Sequence, residues 1–147
     1  LDASQSGWVK VETPGGQTLK NAVVTNGFIS TQVLDCLLPY IDAINIDLKG
    51  FTEQFYLNIK GNLDVVKKNI ELCAGRCHTE ITTLIIPEEN DGEEEMEALS
   101  YFLSTIGDIP LHITRYYPRY KYTKPPVTEQ KLQKLKSIAR QNLKYVY

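Results

Sequence analysis

Asp47 and Lys49 stand two residues apart at the end of Asp42-Ala43-Ile44-Asn45-Ile46-Asp47-Leu48-Lys49-Gly50, a run that opens as a β-branched strand. In an extended chain residues i and i+2 share a face, so this carboxylate and this ammonium can point at one site. A carboxylate can hold a hard cation, and a fixed ammonium can pair with an anion. As a solvated loop pair the same residues would be worth under ~1 kcal/mol. Repetition favours a site: other strands predicted below also end on polar or turn-forming residues, namely Thr25-Asn26-Gly27, Pro87 and its neighbours, and Thr114-Arg115-Tyr116.

The elements that must position these residues follow from the apolar pattern. Ala22-Val23-Val24 reads as a short strand of the buried type, stopped by Thr25-Asn26-Gly27. Ser30 is a plausible N-cap for a helix carrying Val33, Leu34, Leu37 and Leu38, which Pro39 ends. The strand 43–47 follows at once, and strand, helix, strand in about 25 residues is a crossover unit with parallel strands. Thr52 caps a short helical piece over 52–59, and a longer helix spans about 63–74 with Val66, Ile70 and Cys73 on one stripe and Gly75 as its stop.

Thr79 to Ile86 is the third strand, and Pro87 to Gly92 a loop. Asp91 with Glu94 resembles a capping box for a helix with Met96, Leu99 and Leu103 inward, and the acidic run at its start suits the helix dipole. Leu111 to Thr114 is the fourth strand. Thr128 caps a last helix with Leu132, Leu135 and Ala139 inward, and Tyr145-Val146-Tyr147 begins a further element. Residues 1–20 read as a hairpin, Trp8-Val9-Lys10-Val11 pairing across Pro14-Gly15-Gly16 with Gln17-Thr18-Leu19. The division is therefore an atypical segment 1–20 and an α/β unit 21–147 with about four parallel strands, either an open doubly wound sheet or a stretch of barrel. In both, ligands sit at the carboxyl ends of the strands.

A chain of 147 residues, 42% apolar and 23% charged, is one domain's worth of ordinary globular material. No apolar run reaches the ~18 residues of a membrane span, so a soluble, cytoplasmic protein is expected. The net charge of −2 conceals a gradient: residues 1–114 carry 7 Lys/Arg and 17 Asp/Glu, net −10, and residues 115–147 carry 9 and 1, net +8. The basic end reads as a solvated helix and loop facing in part the Glu88 to Glu97 run. Arg115, Arg119, Lys121 and Lys124 interleaved with Tyr116, Tyr117, Tyr120 and Tyr122 also suit a single-strand nucleic-acid or interaction surface, the less favoured reading. Three cysteines are too few, and odd in number, for a disulfide framework.

Four segments in order, Val24-Thr25-Asn26-Gly27-Phe28, Ile44 to Lys49, Thr82-Thr83-Leu84-Ile85-Ile86-Pro87 with Asn90-Asp91, and His112 to Tyr120, resemble the later part of radical SAM enzymes. The likeness is to the group of pyruvate formate-lyase activating enzymes and the AmmeMemoRadiSam-system enzymes, over residues 22–147. It implies part of a (β/α)6 barrel of the TIM type. In the intact family the barrel holds a [4Fe-4S] cluster and S-adenosylmethionine and generates a hydrogen-abstracting radical.

By resemblance, Thr25 and Asp47 belong to a small-cation site beside the cofactor, and Asn26, next to Thr25, is among the cofactor-binding residues. Lys49 contacts the cofactor carboxylate, Thr82 and Leu84 flank its ribose and adenine, and His112 and Arg115 lie toward the substrate. His112 reads equally as a core histidine. The family's Cys-x3-Cys-x2-Cys motif and Gly-Gly-Glu segment do not occur in this chain, and Pro87-Glu88 stands where the family has Pro-Gly. Cys73 and Cys77 have the first spacing only, the third position being Glu80; they read as helix packing and an incidental thiol, with adventitious metal beside His78 a lesser reading.

The expectation is a fragment that holds no cluster and is inactive alone, since each iron needs a protein ligand, normally a thiolate. It would work with the missing half of the barrel, or pair with itself, and a glycyl-radical type protein would be its substrate. The alternative is a module that binds S-adenosylmethionine or a nucleotide without catalysis.

Overall fold

Residues 13–147 are described by a computed structural model. Four strands form its centre: β1 (Ala22–Thr25), β2 (Ala43–Asp47), β3 (His78–Ile85) and β4 (Leu111–Arg115). They pair in sequence order, β1-β2-β3-β4, and every pair is parallel. The end of the chain adds a parallel bridge to β4: Leu111 N donates to the Tyr145 carbonyl at 2.9 Å and Tyr147 N to the Leu111 carbonyl at 3.0 Å. The element begun by Tyr145-Val146-Tyr147 is thus strand-like.

A doubly wound sheet reverses its strand order at a switch point and so acquires helices on both faces. No reversal occurs here. The crossovers are α1 (Thr31–Leu37) with a single tight turn over Leu38–Tyr40, α2 (Glu53–Asn58), α3 (Leu63–Ala74) and α4 (Glu93–Ile106), with α5 (Glu129–Asn142) after β4. Right-handed crossovers are the rule for parallel strands, and with an unreversed order they put the main helices on one side, as in the wall of a barrel, while the short α2 lies near the strand tips.

The core lies between that side of the sheet and the helices. Ile44, Ile46, Leu48, Ile81, Ile85, Leu111 and Ile113 meet Leu34, Val66, Ile70, Cys73, Leu99, Leu103, Leu135 and Ala139, all buried. Each aliphatic side chain so buried contributes ~1.5–3 kcal/mol.

Several local expectations are met in side-chain detail. Thr52 and Thr128 accept from the backbone N–H groups of Phe55 and Lys131, both at 3.2 Å, and Gly75 closes α3. Asn62, which the sequence reading passed over, caps α3 by accepting from Val65 N at 3.0 Å. Three expectations need correction. β1 is not a buried strand: Val24, beside Asn45 on the face turned away from the core, is 80% exposed, and among the described residues β1 pairs with β2 alone. Asp91 does not cap α4, whose N-cap is Gly92; its carboxylate accepts from Glu88 N at 3.0 Å and ties the loop instead. Ser30 occupies the N-cap position of α1 but its hydroxyl bonds Gln32 at 2.6 Å rather than the helix backbone. Of the proposed hairpin, the turn at Thr13–Gln17 is closed by two backbone bonds, while Trp8 to Val11 lie outside the described residues.

Candidate functional site

Strand alternation sends every second residue to the side without helices. Asn45, Asp47, Glu80, Thr82, Leu84, His112 and Thr114 occupy it, and the register sets them in rows: Asn45 beside Glu80, Asp47 beside Thr82 beside His112, and Leu84 beside Thr114. The interior of an ordinary closed α/β barrel is filled by Val, Ile and Leu. Here the corresponding surface is polar and partly open, which is how a wall that lines a ligand cavity differs from one that packs.

The polar groups on this inner face bond one another. Thr82 Oγ1 donates to Asn45 Oδ1 at 3.0 Å. Glu80 bridges two imidazoles, with His78 Nε2 and His112 Nε2 each 2.9 Å from a different carboxylate oxygen. Those hydrogen bonds, His78 first and His112 second, hold the Glu80 carboxyl below the usual range. His112 also stacks on Tyr147, ring centroids 5.2 Å apart and planes 21° from parallel. Lys49 Nζ pairs with Asp47 Oδ2, leaving Asp47 Oδ1 buried and, among the described residues, without a partner.

Buried side chains fix the strand tips. Asn90 Nδ2 donates to the carbonyls of Lys49 and Leu84, both at 2.8 Å, while its Oδ1 accepts from Ile86 N at 2.7 Å. One asparagine thereby ties the ends of β2 and β3. Asn69, on the apolar stripe of α3, donates to the carbonyls of Gly27 at 2.9 Å and Ile29 at 2.8 Å, shaping the turn after β1. Tyr56 Oη accepts from Lys49 N at 3.3 Å, and burial pushes the Tyr56 hydroxyl up to about 12. Glu95 accepts from Phe51 N at 2.5 Å, and burial raises its carboxyl above the usual value.

Beyond the tips, the loops after all four strands enclose a cavity of about 480 Å³. β1 contributes Asn26 and Phe28, β2 Lys49, β3 Ile86 and Glu89, and β4 Tyr116 and Tyr122. The four tips do share one rim. Lys49 stands where the inner face meets the cavity.

The expected site residues divide. Asp47, Lys49, Thr82, Leu84 and His112 are together on the inner face. Asn26 lines the cavity, its Oδ1 accepting from Phe28 N at 3.0 Å. Thr25 pairs with Ile46 and follows the parity of the core-facing Val23, so its side chain is not brought to Asp47; its hydroxyl accepts from Gly27 N at 3.1 Å. Arg115 pairs with Ile85 and turns to Glu129 at the start of α5, 3.7 Å away, and to the ring of Tyr117. His112 is 34% exposed and hydrogen-bonded to Glu80, not a core histidine.

Part of the basic segment is neutralised nearby: Lys124 lies 3.2 Å from Glu89 and 3.5 Å from Glu88, and Lys134 is 2.7 Å from Glu93. Sequence reasoning missed Glu80, Asn45, Asn69 and Asn90 as contributors. Asn69 had a signal, an amide inside an apolar stripe; Asn90 was visible as a turn residue and as part of a resembling segment, without a sign of what it bonds.

An iron–sulfur cluster does not fit Cys73 and Cys77. Cys73 is buried on α3, its thiol pushed up to about 12 mainly by burial, and burial raises Cys77 too, whereas a cluster ligand must be a thiolate. Both precede β3, and eight residues of strand at roughly 3.3 Å each separate them from the rim. Among the described residues no three His, Cys, Asp or Glu side chains converge to hold a metal ion. Nor, among those residues, is any helix long and apolar enough to cross a membrane.

No protein-family model matches the chain. An uncharacterized protein of Methanocaldococcus jannaschii is 34% identical over 132 residues, which are 86% of this chain and 39% of that protein. The chain therefore spans about two fifths of that curated relative. Among solved structures, a domain of pyruvate-formate lyase-activating enzyme from Bacteroides vulgatus superposes with a TM-score of 0.74 at 18% identity, covering 85% of this chain and 78% of that one. TYW1 with a lysine-pyruvate adduct bound superposes with a TM-score of 0.61, also at 18% identity, over 88% of this chain and 42% of that one. The four parallel strands, the helices on one side and these superpositions together give the chain the fold of a partial radical SAM barrel, of the kind found in the pyruvate formate-lyase-activating enzyme domain.

Proposed function

We propose that this chain is the C-terminal part of a radical SAM protein related to the glycyl-radical activating enzymes, and that its inner face is the S-adenosylmethionine site. The observation that carries the reading is the pair at the end of β2. Lys49 offers an ammonium, and Asp47 Oδ1 is a buried acceptor with nothing bonded to it among the described residues. An α-amino acid moiety carries the complementary groups: its carboxylate would take Lys49 and its ammonium Asp47. Thr82 and Leu84, in the next strand and further along the same face, would flank the nucleoside part.

When bound, S-adenosylmethionine supplies hydrogen-abstraction chemistry after one-electron reduction. The cysteines of this chain do not hold the cluster that would donate that electron, so the chain alone binds without turnover. Its own residues orient the amino acid end at Asp47 and Lys49 and set a hydrogen-bonded imidazole, His112, toward the open side of the sheet. The remaining wall of the barrel would come from another part of the protein or a second copy, in the cytoplasm, with a glycyl-radical type protein as substrate.

Titration calorimetry with S-adenosylmethionine and S-adenosylhomocysteine tests the site. Saturable heat is expected below about 1 mM, an affinity of roughly −4 kcal/mol or better, and Lys49→Met is expected to weaken it about tenfold, the worth of one charge-assisted contact. No heat up to millimolar ligand removes the reading.

A further inference from the structure

We infer that the cavity beyond the strand tips is a second binding site, for a compact ligand with a flat apolar body and one anionic group. It adjoins the inner face at Lys49 but is otherwise walled by different residues, and it stands whether or not S-adenosylmethionine binds there. Its size falls within the ~300–1,000 Å³ of small-molecule pockets. Its walls are Phe28, Phe55, Tyr56, Ile59, Tyr116 and Tyr122, a mainly aromatic lining suited to a planar body.

The charge of the ligand follows from which ionic groups are already answered. Lys49 is paired with Asp47. Glu89 is engaged twice, by the Tyr122 hydroxyl and by Lys124 at 3.2 Å. The Lys60 side chain has no hydrogen-bond or ion-pair partner among the described residues, its backbone N–H alone donating to the Leu57 carbonyl at 3.1 Å, yet it lines the cavity. The uncompensated charge is therefore a single ammonium, and the group it answers is an anion.

The backbone supports a built site rather than a chance hollow. Among the described residues, the non-glycine positions in the left-handed region are Lys60 at φ 58°, Glu88 at φ 64° and Tyr120 at φ 55°. Each costs of order 1 kcal/mol or more, and such strain persists where the surroundings impose it, often at ligand sites. Lys60 lines the cavity, Glu88 adjoins Glu89, and Tyr120 is two residues from Tyr122. Gly61, also in the lining, lets the Tyr56 ring approach: a Cβ there would lie 2.9 Å from Tyr56 Cδ1. Phe28, Ile59 and Tyr122 remain 48%, 47% and 42% exposed, an open apolar mouth that a ligand would cover.

Two fluorescent probes of one shape separate body from charge: 8-anilinonaphthalene-1-sulfonate and its neutral counterpart N-phenyl-1-naphthylamine. Each is titrated into the wild-type chain, Lys60→Met and Phe28→Ser, with circular dichroism melting to verify the fold of each variant. One saturable site for both probes is expected. Lys60→Met should weaken the sulfonate about fivefold, the worth of one partly exposed ion pair, and leave the neutral probe within twofold. Phe28→Ser should weaken both. Equal effects of Lys60→Met on the two probes, no effect on either, or non-saturable binding would overturn the inference. Because neither probe is an amino acid, a chain that ignores S-adenosylmethionine but passes this test loses only the inner-face reading.

Discussion

Ile44, Ile46, Ile81, Ile85, Leu111 and Ile113 face the helices and are at most 4% exposed, whereas their neighbours Asn45, Asp47, Glu80, Thr82, Leu84 and His112 face the other way and stay partly open. The same strands thus present a dry aliphatic surface and a hydrogen-bonded polar one. A wholly parallel sheet normally has helices on both faces and reads as continuous apolar runs. Its departure here separates the two faces: the helix side holds the fold, and the inner side is left polar and partly open. A substitution should therefore be costly or cheap according to parity along a strand, not according to distance from the rim.

Ile85 and Leu84 make the sharpest test, being adjacent in β3 and opposite in direction. Ile85→Gln removes a fully buried aliphatic side chain and strands an amide in the core, for which about 3–5 kcal/mol of destabilisation is expected. Leu84→Gln should change stability by less than about 1 kcal/mol, since it leaves the core intact. Urea denaturation reads both. Comparable losses at the two positions would mean that the inner face is packed rather than open, and the binding reading would lose its basis.

Asn69 is the exception that sharpens the contrast, a polar residue on the dry side. Asn69→Leu is nearly isosteric, but it leaves the carbonyls of Gly27 and Ile29 without their donor, and about 2–4 kcal/mol of stability should be lost. On the inner face, Asn45→Ala removes the acceptor of Thr82, which water can replace, and under about 1 kcal/mol is expected. If the two variants melt alike, polar groups on both sides are equally wet.

The strands and helices were legible because their signals are local. The β-branched runs, the caps at Thr52 and Thr128, and the stop at Gly75 each depend on a few neighbouring residues. The alternation Ile44-Asn45-Ile46-Asp47-Leu48-Lys49 was also in plain view, and it set Asp47 and Lys49 together correctly. What was not legible depends on register. Thr25 looked like a partner of Asp47 by its place at a strand end, yet pairing with Ile46 sends its hydroxyl to the other face. Arg115 likewise followed Ile85 away from the inner side. Glu80 was invisible as a site residue because His112, 32 residues later, must come alongside before the carboxylate has its second imidazole. Asn90 reaches Lys49 across 41 residues, a contact that no turn propensity encodes.

The smallest expected effect concerns that carboxylate. Glu80 is lowered from its ordinary value by hydrogen bonds from His78 and then His112. A carboxyl depressed in the folded state adds stability above its unfolded value, about 4.3, and loses that contribution as the pH falls through the folded value. Glu80 is about one-third exposed and His78 more so, which keeps the contribution under ~1 kcal/mol by solvent screening. Wild type should therefore exceed Glu80→Gln in stability by a small margin near pH 5.5, and the margin should shrink steadily toward pH 3. A difference that stays flat across that range would show that the carboxylate is no better placed folded than unfolded. The inner face would then be a set of solvated side chains rather than an organised surface, although Ile85→Gln would still be costly on the other face.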